Sequence, residues 1–167
     1  MKIKTLLSAL ALFASLSVQA QTASATGMTT YDLLALAETD NTMAQMMLGK
    51  RYAVGGEDVD KDLNQAVFWY KKAADKGNAE AQQYLGYAYG RGLGVPQDWV
   101  QAHMWFSLVG AIPDKKVALQ DKALAKQNIK FVETKMTPRQ IEEAQALAKE
   151  WLEKYNQPDQ SDTPQIE

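Results

Sequence analysis

Apolar side chains recur along this chain at helical spacing. Ala44, Leu48 and Tyr52 stand at i, i+4 and i+8, and Ala81, Leu85 and Tyr89 repeat that spacing. Each set marks one face of a helix. Downstream, Ala66, Trp69, Tyr70 and Ala73, then Ala102, Trp105, Phe106 and Val109, give the apolar face of a second helix in each case. Alternating β-branched runs never persist, so strands are not predicted. The two helix pairs are also copies. Ala44, Leu48, Gly49, Tyr52 and Gly55 match Ala81, Leu85, Gly86, Tyr89 and Gly92 at an offset of 37. Val59, Asp62, Ala66, Trp69 and Tyr70 match Val95, Asp98, Ala102, Trp105 and Phe106 at an offset of 36. One residue lost from the intervening loop accounts for the slip. A fixed period of this size signals stacked supersecondary units, and it turns attention from a reaction to a partner.

Polar residues punctuate the pattern. Asp62 with Gln65, and Asp98 with Gln101, are spaced as reciprocal N-terminal caps. Gly77 suits the left-handed residue that ends a helix, with Asn78 capping the next. Gly55-Gly56 and Gly90-Arg91-Gly92-Leu93-Gly94 are expected to break the first helix of each pair. Gly49 and Gly86 fall inside helices, where glycine costs about 1 kcal/mol against alanine. Close approach of a bulky Trp or Tyr is the expected return. Ahead of the pairs, Leu33, Leu36, Ala37 and Asn41 align with Tyr70, Ala73, Ala74 and Asn78 and predict a lone helix opened by Thr29 and Asp32. After them come a long helix from about Asp114 to Glu133 and another opened by Thr137-Pro138-Arg139-Gln140. The latter carries Ile141, Ala144, Leu147, Ala148, Trp151 and Tyr155 on one face.

The first twenty residues read differently. Lys2 and Lys4, an apolar run from Leu6 to Val18, and Val18-Gln19-Ala20 are the three parts of a secretory signal peptide. Residues 1–20 are therefore expected to be removed, 21–28 to form a linker, and the polar residues 156–167 a disordered tail. The run is too short to span a bilayer and no other approaches that length, so stable membrane insertion is not expected. Cleavage after Ala20 leaves 147 residues, enough for one domain, and takes the net charge from −2 to about −4. That balance offers nothing to nucleic acid. With no cysteine, disulfides, lipid attachment after the cleavage site and thiolate chemistry are all excluded.

Candidate chemistry is thin. His103 is the single histidine and reads as a surface or boundary residue without a second ligand at metal spacing. Asp58-Val59-Asp60-Lys61-Asp62 opens like a calcium loop, but Leu63 occupies the turn-glycine position and Trp69 the bidentate-glutamate position. It is expected to be an acidic loop ending in a cap. Gly90-x-Gly-x-Gly94 lacks the preceding strand of a phosphate cradle. No nucleophile elbow is present. Trp69, Tyr70, Trp105 and Phe106 are core by their matched positions. No catalytic residue, cofactor or metal is expected.

These residues resemble the Sel1-like repeat family, an offshoot of tetratricopeptide-type helical arrays. The second unit carries its pattern as Ala81, Leu85, Gly86, Tyr89, Gly92, Gly94, Val95, Asp98, Ala102, Trp105 and Phe106. The first continues it through Ala73, Ala74, Gly77 and Ala79 but departs at the turn, where Glu57-Asp58 replaces the second glycine with one extra residue. The second unit departs at its end, with Val109-Gly110 for paired alanines. The stretch Met136-Thr137-Pro138 through Trp151 is similar to the closing helix of short exported bacterial members. The resemblance implies an all-α, α/α solenoid spanning 29–155, with repeats at about 44–79 and 81–112 and caps at 29–41 and 114–155. It also implies an adaptor that binds a protein or peptide, periplasmic or secreted given the leader. The alternative is a cell-envelope enzyme or regulatory subunit acting on peptidoglycan; a secreted factor that engages a host protein is a further variant of the first reading. In such arrays the first helices line the concave wall. There, opposite the packed positions, Glu80, Gln83, Tyr87 and Arg91 form one stripe, and Met43, Met46, Lys50 and Val54 its equivalent. Met46, Lys50, Gln83, Tyr87 and Arg91 are thus the expected partner-binding residues.

Overall fold

The computed structural model describes residues 27–112 and 117–156. The leader, most of the 21–28 linker and all of the tail beyond Asn156 lie outside the described residues. Seven helices follow in order: α1 (Thr30–Glu38), α2 (Thr42–Val54), α3 (Leu63–Asp75), α4 (Ala79–Arg91), α5 (Trp99–Ala111), α6 (Leu119–Glu133) and α7 (Pro138–Tyr155). Among the described residues no strand occurs. Helices α2 and α3 pack as one hairpin and α4 and α5 as the next, with α3 against α4 joining them. Helix α1 covers the free side of α2, while α6 and α7 both pack on α5.

The core runs through the hairpins as adjoining clusters, with Tyr52 and Tyr89 each packed against two of them. Leu48, Trp69, Leu85 and Trp105 are all buried, and Tyr52 and Tyr89 pack half-buried against them. The glycines inside the helices do what their position demands: a Cβ at Gly49 would overlap the ring of Tyr70, and one at Gly86 the ring of Phe106. Burial pushes the Tyr70 phenol above the usual tyrosine range, with Tyr84 and Glu80 adding to the rise, so the ring stays neutral. Successive units are stitched by a buried glutamine: Gln45 Nε2 donates to Ala37 O (3.1 Å), and Gln82 Nε2 to Ala74 O (3.2 Å). Gln45 Oε1, Gln82 Oε1, Trp69 Nε1 and Trp105 Nε1, again matched pairs, have no protein partner.

The caps form, with one instructive departure. Thr29 with Asp32, and Thr137 with Gln140, make complete reciprocal boxes. Asp62 accepts from the amides of Asn64 and Gln65, and Asp98 from Gln101, but no return bond from the glutamine side chain forms. The cap N–H groups are already engaged: Asp62 N donates to Tyr52 O (2.8 Å) and Asp98 N to Tyr89 O (2.9 Å), closing the loop of each hairpin. Gly77 takes φ +79°, as expected, and Asp40 holds the matched corner after α1 at φ 65°. Helix α4 runs on through Gly90 and Arg91 to its left-handed cap at Gly92, so Gly90 does not break it. Helix α6 begins at Leu119, and Asp114, its expected start, lies outside the described residues. Val117 is buried beside Val109 and Ala125, and extended Ala118 leads into the helix without a side-chain cap.

The extra residue in the first turn has its own use. Asp58 accepts from Thr30 N (2.6 Å) and pairs with Arg51 Nη1 (3.0 Å), while Arg51 Nη2 donates to Met28 O (2.7 Å). The acidic loop therefore clasps the start of α1. Where the second turn has Gly94, the backbone lies against Leu63 and Asn64 with no room for a side chain.

Candidate partner-binding face

Helix α4 lies between α2 and α6 on the face these helices share. Three of its exposed or half-exposed side chains point outward in line: Tyr84, Tyr87 and Arg91, with Glu80 one turn before them. Tyr84 is 36% exposed and stacks on Tyr70 with centroids 4.7 Å apart. Lys50 of α2 pairs with Glu80 and lies 6.0 Å over the Tyr84 ring. On the other flank, Asn128 of α6 donates to Tyr87 Oη (2.8 Å), which fixes that ring. Arg91 stands 6.0 Å from the Tyr87 centroid.

Tyr87 borders three hollows. A cleft of about 390 Å³ lies between Glu80, Gln83 and Tyr84 of α4 and Asp121 and Leu124 of α6. A slot of about 80 Å³ is lined by Gly86 and Gly90, walled by Trp99, Phe106, Phe131 and Val132, and rimmed by Arg91 and Asn128. A third, of about 100 Å³, opens towards α2 and α3 between Ala53, Leu63, Tyr84 and Leu93. A larger cavity, about 500 Å³, is elsewhere, between the Gly77 corner and Trp151 to Asn156. None of the expected binding residues reach it.

Of the five expected binding residues, Lys50, Tyr87 and Arg91 stand open on this face, Gln83 lines its cleft but is buried, and Met46 does not reach it. Met46 is 1% exposed and sits in the central core with Ala81 and Leu85 of α4. Gln83 is 8% exposed and lies low in the cleft beside α6. Both stand at the same repeat position, the side of one first helix that meets the next. The open stripe is instead Glu80, Tyr84, Tyr87 and Arg91, and its equivalent is Met43, Met47, Lys50 and Val54. The true spacing is 4-3-4, against the 3-4-4 read from the chain. Tyr84 was the missed residue; its spacing of four from Glu80 and three from Tyr87 was the available signal. Asn128 and Phe131, from a helix outside the repeats, had none.

His103 also departs from expectation, being only 2% exposed. Its Nε2 faces Glu133 Oε1 of α6 (3.2 Å) and its Nδ1 faces Ser107 Oγ (3.2 Å). A serine–histidine–acid line is thus present, yet Ser107 lies inside α5, where neighbouring amides are engaged in the helix, so no oxyanion donors face it. The line ties α5 to α6. Among the described residues no cluster of His, Asp or Glu is grouped to hold a metal ion, and no helix is long and apolar enough to cross a membrane.

The matched hairpins, their glycine–aromatic contacts and the open first-helix face are what a family match addresses, and the Sel1 repeat model matches residues 42–78 and 79–108. Residues 42–108 are Sel1-like repeats. They are similar to those of solved structures. A protective antigen of uropathogenic Escherichia coli with an SLR fold superposes with a TM-score of 0.65 at 32% identity, over 75% of this chain and 25% of that one. A Sel1 repeat protein from Oxalobacter formigenes aligns over 57% of this chain and 26% of its own, at 36% identity and a TM-score of 0.49. Among curated proteins, chitin synthase regulatory factor 3 of Schizosaccharomyces pombe is 35% identical over 92 residues. That match covers 53% of this chain but only 10% of the yeast protein. The chain thus corresponds to a short portion of each relative.

Proposed function

We propose that this protein is a non-enzymatic, exported adaptor that binds a protein or peptide on the face of α2, α4 and α6. One observation carries the reading: two neighbouring tyrosines, Tyr84 and Tyr87, line a cleft and the hollow towards α2 and α3 on one face, and Tyr87 the slot as well, whereas the repeat aromatics Trp69, Tyr70, Trp105 and Phe106 pack inward. Aromatic and arginine side chains are the usual anchors of protein contact. Sel1 repeats, as interaction scaffolds, support it. Export rests on the leader-like residues 1–20, and a periplasmic or secreted site follows from them. Neither nucleic acid nor membrane is a partner in this reading, given the acidic balance.

The test places a photo-crosslinking residue at Tyr84 or, as a control, at Glu150 on the far side of α7, in cells making the full chain. A defined partner band from Tyr84 and none from Glu150 is expected, in the periplasmic or medium fraction, with the chain starting at Gln21. Bands from Glu150 alone would move the site to the opposite surface; an uncleaved cytoplasmic chain would end the export reading. A second reading, a regulatory subunit for an enzyme of peptidoglycan, is favoured by the likeness to a chitin synthase regulatory factor. It expects that partner band to contain a wall-polymer enzyme.

A further inference from the structure

Gly90 is a helix-interior glycine that packing does not require; Gly110, one residue before the end of α5, is another, but it lines no hollow described above. A Cβ at Gly49 or Gly86 would overlap an aromatic ring, whereas one at Gly90 would meet only Trp99 at 3.5 Å and Ala102 at 3.6 Å, ordinary contacts. Repeat one places Ala53 at the matched position. Alanine would be the better helix former at Gly90 too. What the missing methyl leaves is the floor of the 80 Å³ slot. Around it stand Trp99, Phe106, Phe131 and Val132, so the slot takes an apolar group of a few carbons.

The rim is cationic. Arg91 borders the slot and rests on Tyr87, and Lys135 lies 5.6 Å from the centroid of the Phe131 ring that walls it. Neither cation has a carboxylate within ion-pair distance among the described residues. Glu80 is paired with Lys50 and stands eleven residues before Arg91, about 16 Å along the helix and beyond a physiological screening length. In repeat one Val54 occupies the position of Arg91 and Lys50 that of Tyr87, so the combination belongs to the second repeat alone.

We infer that the slot of the second repeat receives an aliphatic side chain of a peptide whose adjacent residue is acidic, with the carboxylate meeting Arg91. The inference rests on the groove reading above and adds the ligand's chemistry. A carboxylate–guanidinium contact at an apolar rim is charge-assisted and bidentate-capable, which makes Arg91 the specificity element and Gly90 the size filter.

The test uses the cleaved chain and four octapeptides: Gly-Ser-Ala-Leu-Glu-Ala-Ser-Gly and its forms with Leu→Ala, Glu→Gln and Glu→Lys. Binding is read from the Trp99 indole and Asn128 amide resonances. The Leu-Glu peptide should bind about tenfold more tightly than the Leu-Gln form. The Leu→Ala form should lose most binding, and Arg91→Glu should reverse the order in favour of Leu-Lys. Gly90→Ala should keep or raise Tm while reducing all leucine peptides to the level of the alanine one. Equal binding of the Glu, Gln and Lys peptides, or undiminished binding by Gly90→Ala, overturns the inference, as does no binding of the Leu-Glu peptide. The Tyr84 crosslinks decide separately whether the groove reading falls with it.

Discussion

The two repeats share their buried half and differ in their open half. Inside, the correspondence is close: Tyr70 on Gly49 and Phe106 on Gly86, Gln45 to Ala37 O and Gln82 to Ala74 O, Asp62 and Asp98 as caps whose amides close the same loop. Outside, Met43, Met47, Lys50 and Val54 stand where the second repeat has Glu80, Tyr84, Tyr87 and Arg91. Stacking dictates the first set, since each unit must mate with a copy of itself. The second set is released from that demand, so recognition concentrates where the copies diverge.

The comparison can be broken most forcefully from inside. Trp69→Ala and Trp105→Ala should each cost about 3–5 kcal/mol, read by denaturant melts, because both rings are buried at matched positions. If only one is costly, the buried halves are not equivalent. Gly49→Ala and Gly86→Ala come next, at about 1–3 kcal/mol, as Tyr70 or Phe106 must shift to admit the methyl. Gly90→Ala on the same helix as Gly86 should have the opposite sign, a gain of up to about 1 kcal/mol. That contrast between neighbours one turn apart isolates packing from helix propensity.

The smallest effect concerns the turn that only repeat one has. Bonding to Thr30 N, more than the Arg51 charge, holds the Asp58 carboxyl below its ordinary range. A depressed acid contributes above the unfolded carboxylate pKa, and its contribution vanishes as pH falls through the lower folded value. Wild type should therefore lose hydrogen-exchange protection in α1 on acidification below about pH 4. Asp58→Asn should show weaker protection at neutral pH and a flatter profile. A profile unchanged by the substitution would detach the clasp from α1.

Much of this was legible because periodicity encodes what touches the nearest partner in sequence. The helix pairs, their caps, the glycine–aromatic contacts and the Gly77 corner all follow from residues within one unit or its neighbour. The errors share one cause, contact with an element the local pattern does not reveal. The local pattern places Met46 and Gln83 in the open because it shows each first helix alone, whereas α4 closes over Met46 and α6 lies beside Gln83. His103 was read as a boundary residue because Glu133, which meets it, is 30 residues away on a helix outside the repeat. Tyr84 was overlooked since its stacking partner, Tyr70, belongs to the preceding unit.

Helix α7 ends where the first repeat turns: the Tyr155 hydroxyl donates to Lys76 O across 79 residues, its ring lying on Gly77. A linear stack ordinarily frays from its terminal unit inward, one interface at a time. Here the last helix is buttoned back onto the middle of the stack, so it cannot peel off without also exposing the seam between the repeats. The short array is therefore expected to melt as one body, with α1 and α7 losing hydrogen-exchange protection together.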